Sequence, residues 1–458
     1  MNCKVIIKIF VLIGIIALSM SLFSCTKDDD SKETQLTYYS IKSGVIPERD
    51  DTLSAKLLIE EYNDYCDKVS NTLDASYKIK VVEFEDAAEM KMKLSTELMA
   101  GSGPDLFSLT SNLSVYKLIY NKNFADINEL IKYDTSENKL NLDDYNKVIM
   151  NAGVFDGKRY VVPINYDANI LIADKELFQN YNTVSEDSKE KQKFFKEHNI
   201  TFTQSYEEVA NIFYKLIVDN IDFKNKKTTF DDNFKEDLVE LYEISSINNI
   251  KKGMRPIQDG SSLFAKDGCA YADNSMGCFS SGITFMADEY AYYTKYINPI
   301  VTKGLERDQN TSSAKILTGF MINANSKNKD KALEFIKYVL SKQVQGYYDE
   351  KEYKERLKTY QYGWGFFSSL PVRTQSFEDS ITVAQKASYQ IDLVVGIDND
   401  FMNSYIDIVN KINYCEIPDD YYTKEILSDL LEQYFDGKLS TDAFIDKLEL
   451  KTKIYLEE

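Results

Sequence analysis

Acidic side chains supply most of the reactive chemistry available to this sequence, which has 73 aspartate and glutamate residues against 54 lysine and arginine residues. The pairs Asp143/Asp144 and Glu83/Glu85 could serve as the two carboxylates that a glycoside hydrolase requires. Acidic residues are so numerous here that such pairs arise by chance, and runs of charge usually mark solvated faces. These carboxylates therefore favour a charged surface over an active site.

A nucleophilic active site finds even less support. His198 is the only histidine in the chain, and it lies in a stretch rich in lysine and glutamate, where we expect a solvated helix rather than a general base. The sequence contains no Gly-x-Ser-x-Gly motif, no P-loop and no dinucleotide fingerprint. The cysteine and histidine spacing fits no zinc site. We therefore expect no enzyme, no metal and no cofactor.

The first 24 residues have the pattern of an export signal. Lys4 and Lys8 precede an almost wholly apolar run at 9–23, which is about as long as a signal-peptide core and short for a spanning helix. The run ends in Leu-Phe-Ser-Cys at Cys25, which resembles a bacterial lipobox. This resemblance implies cleavage before Cys25 and attachment of lipid, such as palmitate, to that residue. An uncleaved anchor helix is the alternative, and both place the chain on the outer side of a cell membrane.

Charge and length limit the partners and the domain count. Removal of Lys4 and Lys8 changes the formal charge from −19 to −21, and an acidic chain repels phosphate backbones, so nucleic acid is not an expected partner. The remaining 434 residues (458 − 24) exceed the usual size of one compact core. Two or more domains are therefore expected.

Cysteine usage says little about the fold. Six cysteines in 458 residues are not a disulfide framework, and Cys3 and Cys25 belong to the export signal. Cys269 and Cys278 could form a bridge across a small loop in an exported protein. The sequence leaves that pairing open.

The elements that must position any site begin with a strand–helix alternation. Strands are predicted at 36–41, 77–84 and 106–109, and amphipathic helices at 53–73 and 87–100. This order predicts an α/β lobe with a parallel sheet, whose ligands bind at the carboxyl ends of the strands. Further predictions are helices at 113–120, 142–149, 206–218, 233–244 and 329–342, strands at 268–272 and 316–322, and a glycine-serine loop at 274–282.

The segment 157–178 (GKRYVVPINYDANILIADKELF) has the pattern of a strand that passes from one sheet to another. Two short runs rich in β-branched and aromatic residues, at 160–164 and 170–172, lie on either side of a polar stretch. Pro163 has no N–H to donate to a sheet ladder, so we expect the chain to leave the first sheet near that residue. A plain hairpin is the alternative.

Four motifs stand in an order typical of one family. They are GSGPDLF at 101–107, the segment 157–178, the block AKILTGFMINANSKNKDKALEFIKYVLSKQVQ at 314–345, and SLPV at 369–372. Over residues 36–377 the chain thus resembles family 1 extracellular solute-binding proteins, the lipoprotein receptors of carbohydrate-type ABC importers. The resemblance implies an α/β, two-lobed periplasmic-binding-protein-like fold of type II, with hinge-crossing strands and a ligand cleft between the lobes.

This resemblance also implies domain boundaries and a function. The signal at 1–24 and a tether at 25–35 precede a first lobe of residues 36–164 and 312–345 and a second lobe of residues 165–311 and 346–458. The expected function is capture of a sugar or oligosaccharide by lobe closure and delivery to an ABC permease, by a lipid-anchored monomer. A lobed lipoprotein that serves a sensor or adhesion partner would have the same cleft, and a secreted glycoside hydrolase is the third possibility.

Sugar recognition needs flat apolar faces for C–H surfaces and polar side chains for hydroxyl groups. Trp364, the only tryptophan, lies between two glycines in a segment without periodicity, so it is the first candidate for a stacking platform, with a core position as the alternative. Tyr166 and Asp167 follow the first crossing strand and could reach the cleft, although Tyr166 could also pack in the hinge.

The remaining candidates depend on their place at turns and strand ends. Asp105 matches the turn of the family motif, and its simpler role is to hold the loop after Gly103. Ser43, Asn112 and Asn274 are candidate ligand contacts because each lies at a predicted strand end. The tyrosine-rich patch at 290–296 is assigned to core and rim, with a ligand-contacting shelf as the alternative.

Overall fold

The computed structural model describes residues 35–42, 51–69, 73, 75–109, 113–174, 201–202, 206–244, 275–278, 299–303, 311–346, 369–384 and 397–457. The chain divides into two units, Met1–Gln35 and Leu36–Glu458. The fold described below is that of the second unit.

The described strands and helices are numbered here in chain order. The strands are β1 (Leu36–Ile41), β2 (Ile79–Phe84), β3 (Leu106–Ser108), β4 (Val154–Phe155), β5 (Lys158–Arg159), β6 (Val162–Ala168), β7 (Ile170–Asp174), β8 (Thr201–Phe202), β9 (Ile221–Asp222), β10 (Lys227–Thr228), β11 (Ser275–Cys278), β12 (Pro299–Lys303), β13 (Ser313–Ile322), β14 (Leu370–Pro371) and β15 (Tyr414–Glu416). The helices are α1 (Asp51–Lys68), α2 (Ala87–Met99), α3 (Val115–Tyr120), α4 (Ile127–Tyr133), α5 (Lys147–Ala152), α6 (Tyr206–Asp219), α7 (Asp232–Ile244), α8 (Lys329–Leu340), α9 (Lys342–Gln345), α10 (Thr374–Ala384), α11 (Asn399–Asn410), α12 (Asp420–Tyr422), α13 (Ser428–Phe435) and α14 (Thr441–Glu457).

The predicted parallel sheet is confirmed. β1 pairs in parallel with β2 and with β3, in the order β14-β6-β13-β3-β1-β2, and β15 pairs with β13. In β1 the side chains alternate between buried and half-buried, as the sequence LTYYSI predicts. α2 begins at the N-cap Asp86, whose side chain accepts from the Glu89 N–H, and the Glu89 side chain accepts from the N–H of Glu85, the residue before the cap.

The turn before β3 requires its glycines. Gly101 and Gly103 have φ of 72° and 114°, values that side chains other than glycine rarely adopt. The Asp105 carboxylate then accepts hydrogen bonds from the backbone N–H and the hydroxyl of Thr37, each at 2.8 Å, and from the Ser326 hydroxyl at 2.6 Å. This aspartate therefore fastens the loop to β1 and to the segment after β13.

The chain crosses between sheets where the sequence predicts it to, but not at the predicted residue. β6 lies in the first sheet and β7 in a second sheet of order β12-β7-β11-β8, so the change falls at Asn169 and not near Pro163. Pro163 lies inside β6 opposite Gly319, beside an irregularity in the register. On the other side of β6, β14 pairs only with Asn165 and Tyr166. None of the described strands therefore needs a hydrogen bond from the N–H that Pro163 lacks on that side.

Two other elements differ from prediction. β11 (Ser275–Cys278) lies inside the predicted glycine-serine loop at 274–282 and pairs with β7 and β8, so the glycine and serine content misled the prediction there. The predicted helix at 142–149 is instead a short 3-10 turn, Leu142–Asp144, followed by α5, because the Asn146 side chain caps α5 through the N–H groups of Val148 and Ile149. The predicted strand at 268–272 lies outside the described residues.

The described side chains form two hydrophobic cores. The first lies around the seven-stranded sheet and includes Tyr38, Phe320 and Phe335 as well as Phe401 of α11. The second is built by α6, α7, α13 and α14 around Phe213, Phe234, Phe435 and Phe444. The predicted lobe boundaries stay a prediction. Cys66 and Cys415 are free thiols, whereas the side chains of Cys269 and Cys278 lie outside the described part of the chain.

Candidate functional site

The carboxyl ends of three parallel strands define one edge of the first sheet. Ile41 of β1 pairs with Phe84 of β2, and Ser108 ends β3 beside them. β6 and β13 continue past this edge, where Ala314 pairs with Ala168 and where β15 takes the place of β3 beside β13. The first sheet therefore extends past the carboxyl ends of β1, β2 and β3 through β6, β13 and β15.

A segment after β15 contacts α2 and α3, the helices that follow β2 and β3. It comprises Ile417 of the first core, Asp419, and, in the second core, α12, a π-helical turn at Thr423–Leu427 and α13. The Tyr116 hydroxyl at the start of α3 donates to the Ile417 carbonyl at 3.2 Å. Tyr421 and Glu425 reach Lys91 of α2, at 4.4 Å from the tyrosine ring centroid and 3.5 Å from the carboxylate.

The π-helical turn explains the orientation of that segment. Tyr422 and Leu427 are both buried in the second core, five residues apart, whereas an α-helix would bring residues three or four apart onto one side. The wider turn lets Tyr422 and Leu427 share the core side. Tyr421 and Glu425 are left together on the side that contacts α2.

Buried tyrosine hydroxyls line the junction behind this edge. Tyr455 lies within hydrogen-bonding distance of Ser114 and donates to the Asp419 carboxylate at 3.4 Å, while Tyr422 contacts the Thr452 hydroxyl at 2.5 Å. Burial raises the pKa of Tyr455 and of Tyr422 well above the ordinary phenol value. These phenols stay neutral and act as hydrogen-bonding groups at any physiological pH.

An aromatic stack joins the two cores. Tyr116 stacks on Phe223 with ring centroids 4.6 Å apart and an interplanar angle of 12°, and the Phe155 ring meets Tyr116 edge-on at 5.6 Å. Burial raises the pKa of Tyr116 well above its ordinary value. Beside the stack, Lys224 and Asp156 form an exposed ion pair at 2.7 Å.

Two buried amides hold the strands that cross between the sheets. The Asn165 side chain accepts from the Thr318 N–H and donates to the Ser369 hydroxyl, each at 2.8 Å. Gln345 donates to the carbonyls of Ile164 and Val339 at 3.0 Å and accepts from the Val372 N–H at 3.1 Å. These amides supply hydrogen bonds where the register between β6 and β13 is irregular, and the crossing that they hold is called the hinge below.

Three predicted site residues lie in the described part of the chain. Tyr166 is 1% exposed, packs between β13 and β14 and interacts with the Asn146 side chain, so this structure gives it a packing position at the hinge. Asp167 is half-buried on β6 opposite Lys315. Asp105 holds its loop, as described above. Their ligand contacts stay predictions.

The other predicted site residues lie outside the described residues: Trp364, Ser43, Asn112, Asn274 and the lipidation site Cys25. Ser43 and Asn112 belong to the segments that follow β1 and β3 at the edge. The carboxylates considered for a glycosidase face lysines instead, since Glu83 pairs with Lys56, and Asp143 with Lys147 at 3.0 Å.

Sequence reasoning missed Lys91, Tyr421 and Glu425. The apolar spacing after Tyr422 is that of an ordinary amphipathic helix, so the sequence carries no signal for the π-helical turn. In the described ranges no group of three or more His, Cys, Asp or Glu side chains is placed to hold a metal ion. Among the helices of those ranges, none combines the length and apolar character needed to cross a membrane.

The architecture is that of the two-lobed periplasmic sugar-binding proteins. The chain is similar to the sugar-binding protein MalE of Xanthomonas citri, with a TM-score of 0.58, 13% identity and coverage of 93% of this chain and 98% of that one. It is similar to a chitin oligosaccharide binding protein (TM-score 0.53, 15% identity, 92% and 99% coverage) and to CpMnBP1 with mannotriose bound (TM-score 0.53, 13% identity, 92% and 100% coverage). These likenesses establish the fold.

Residues 58–353, more than half of the chain, match the family of bacterial extracellular solute-binding proteins, and the chain belongs to that family. An uncharacterised ABC transporter extracellular-binding protein of Pyrococcus horikoshii is 29% identical over 93 residues. That match spans 20% of this chain and 20% of the relative, about a fifth of its length. Family membership implies a location outside the cytoplasm.

Proposed function

We propose that this chain is a lipid-anchored solute-binding protein that captures a sugar or oligosaccharide by lobe closure and delivers it to an ABC permease. The observation that supports this most strongly is that the segment after β15 contacts α2 and α3, the helices that follow the carboxyl ends of β2 and β3. In α/β folds ligands bind at such strand ends. Contacts between the second core and these helices are what closure around a ligand there would require.

The fold and the charge of the chain favour a neutral polyhydroxyl ligand. The three structures with the same fold are named as a sugar-binding protein, as a chitin oligosaccharide binding protein and as a protein with mannotriose bound. A formal charge of −19 disfavours polyanionic ligands.

The predicted ligand contacts belong to this proposal. Ser43 and Asn112 follow β1 and β3 in the sequence and are proposed as polar contacts at the strand ends, together with Asp167 of β6. Trp364 is proposed as the stacking platform and Asn274 as a polar contact from the second lobe. Asp105 and Tyr166 were predicted with them, and their positions favour supporting roles next to the ligand-binding residues.

The proposals of a lipid anchor and of an ABC permease as partner depend on the sequence and on family membership. Cys25 follows the lipobox-like segment, and residues 25–35 would tether the lobes to the membrane surface. The Pyrococcus relative is named as part of an ABC transporter. Replacement of Cys25 by serine should abolish incorporation of labelled palmitate and release the chain from membranes. Incorporation that persists in Cys25→Ser would overturn the anchor.

A ligand screen tests the binding function. The chain from Thr26 onward would be heated with mono- and oligosaccharides, amino acids, peptides and phosphate esters. A ligand at about 100 times its dissociation constant adds roughly 2.7 kcal/mol to stability, which raises the melting temperature by several degrees. A carbohydrate hit that weakens roughly tenfold or more in Trp364→Ala supports the proposal. Shifts with peptides alone would overturn the ligand class, and turnover of a glycoside would overturn the binding function.

A further inference from the structure

Lys91 is the point where α2, on the first core, contacts the segment after β15, which packs in the second core. Its ammonium lies 4.4 Å from the Tyr421 ring centroid and 3.5 Å from the Glu425 carboxylate. The Lys91 side chain is 30% exposed and that of Glu425 is 56% exposed. One cation therefore engages an aromatic face and a carboxylate from the other core at the solvent-accessible rim.

The π-helical turn is what makes both contacts possible. Tyr421 precedes the turn and Glu425 lies inside it, four residues later. Because Tyr422 and Leu427 are fixed in the second core, the turn holds Tyr421 and Glu425 in one orientation. Lys91 thus meets a preformed pair of groups, and little side-chain entropy is lost on the second core when the contact forms.

We propose that Lys91 is a latch that closes the lobes without ligand, and that Tyr421 and Glu425 are its receptor. The latch rests on the proposed function, because it regulates the closure that captures the ligand. When the lobes separate, the ammonium leaves both groups and is hydrated. A binding protein that already populates the closed state needs less free energy to close when the ligand binds. Its apparent affinity for the ligand rises in proportion to the fraction of molecules that are closed.

The latch is weak enough to open. An exposed ion pair and an exposed cation–π contact each shift an equilibrium by no more than about fivefold. Together they shift the closed-to-open ratio by about three- to tenfold. Salt weakens the ionic part, because the Debye length falls from about 30 Å at 0.01 M to about 3 Å at 1 M.

The test measures closure in the absence of any ligand. Fluorophores are attached through genetically encoded click residues at Met99 and Leu450, which are 83% and 61% exposed and lie on α2 and α14. Single-molecule energy transfer is then recorded on the full chain in detergent at low and at high salt. We expect a high-transfer population that Lys91→Gln reduces about three- to tenfold and Glu425→Gln by no more than about fivefold, because the second variant keeps the contact with the Tyr421 ring. The double variant should lose no more than Lys91→Gln alone. Lys91→Arg should retain most of it, because a guanidinium both pairs with carboxylates and stacks on rings.

Lys93→Gln is the matched control. Lys93 lies on the same helix and pairs with Glu97 of that helix at 3.7 Å, so the substitution removes the same charge without touching the second core. A single open population in the unsubstituted chain would overturn the latch, and so would an equal effect of Lys91→Gln and Lys93→Gln. Since no ligand is present, these outcomes are independent of the carbohydrate screen, whose failure would overturn the proposed function alone.

Discussion

Two lysines in this chain show how burial determines what an ion pair does. Lys337 of α8 is 5% exposed, and its ammonium lies 2.6 Å from both Asp134 and Glu334 and 2.7 Å from the Ser136 hydroxyl. Lys91 of α2 is 30% exposed and has one carboxylate at 3.5 Å. The first is a permanent anchor between α8 and the loop after α4, whereas the second is a contact that water can replace.

The difference follows from desolvation. A buried charge that loses its partner is left without solvent, so the pair around Lys337 cannot open while the first core is folded. An exposed pair exchanges one hydrated state for another at little cost. Rigid fixation within a core and reversible contact between cores therefore require opposite placements of the same side chain.

The largest expected effect is at the buried lysine. Lys337→Met should lower the free energy of unfolding by about 3–5 kcal/mol, because Asp134 is left as a buried charge without its cation. Denaturant titration measures the change. Lys147→Met is the control, since Lys147 is 75% exposed and pairs with the exposed Asp143, and it should change stability by less than about 1 kcal/mol. Equal losses in the two variants would contradict the anchor.

A slightly smaller effect is expected at the hinge. Gln345→Leu leaves the carbonyl of Ile164 and the N–H of Val372 without their side-chain partner, which should cost about 2–4 kcal/mol. The exposed neighbour Gln343 provides the control substitution Gln343→Leu. Thermal and chemical unfolding of both variants measure the effect, and a neutral Gln345→Leu would show that the hinge does not depend on this amide.

Acid should distinguish the buried pair from the exposed one. Burial pushes the pKa of Asp134 upward, but hydrogen bonds donated by Lys337 and Ser136 outweigh it and lower the pKa to about 2. Because the folded pKa is below the unfolded value of about 3.9, this group contributes stability above pH 4 that is lost as the pH falls toward 2. Asp134→Asn should flatten the stability profile in that window. An unchanged profile would contradict the depressed pKa.

The smallest effect on stability is expected at Lys91, the exposed lysine between the two cores. Lys91→Gln should change the free energy of unfolding by less than about 1 kcal/mol, although it changes the closed-to-open ratio. The same denaturant titrations measure it beside Lys337→Met. A loss as large as that of Lys337→Met would mean that Lys91 supports the fold and is no latch.

The sequence was informative wherever one local pattern decided the structure. The alternation of β1, α1, β2, α2 and β3 follows from periodicity and from Gly101 and Gly103, and α8 was predicted over nearly its observed range. The crossing between sheets was predicted, but its residue was not, because the irregular register opposite Pro163 depends on β13, which is distant in the sequence.

The candidate site was predicted less well, for a physical reason. Predicted strand ends identified Ser43 and Asn112 as candidates on one side of the edge. The other side is formed by Lys91, Tyr421 and Glu425, whose meeting depends on a π-helical turn and on how two cores pack. Lysines are abundant, and the sequence around Lys91 does not indicate which residues it contacts. Only the tertiary structure identifies its partners.

The most direct test of the account is calorimetric titration of the chain with mannotriose, a chitin oligosaccharide and a maltooligosaccharide. The account predicts saturable one-to-one binding of at least one of them, weakened roughly tenfold or more by Trp364→Ala. Absence of heat with every carbohydrate, together with saturable binding of a peptide or an amino acid, would contradict carbohydrate capture.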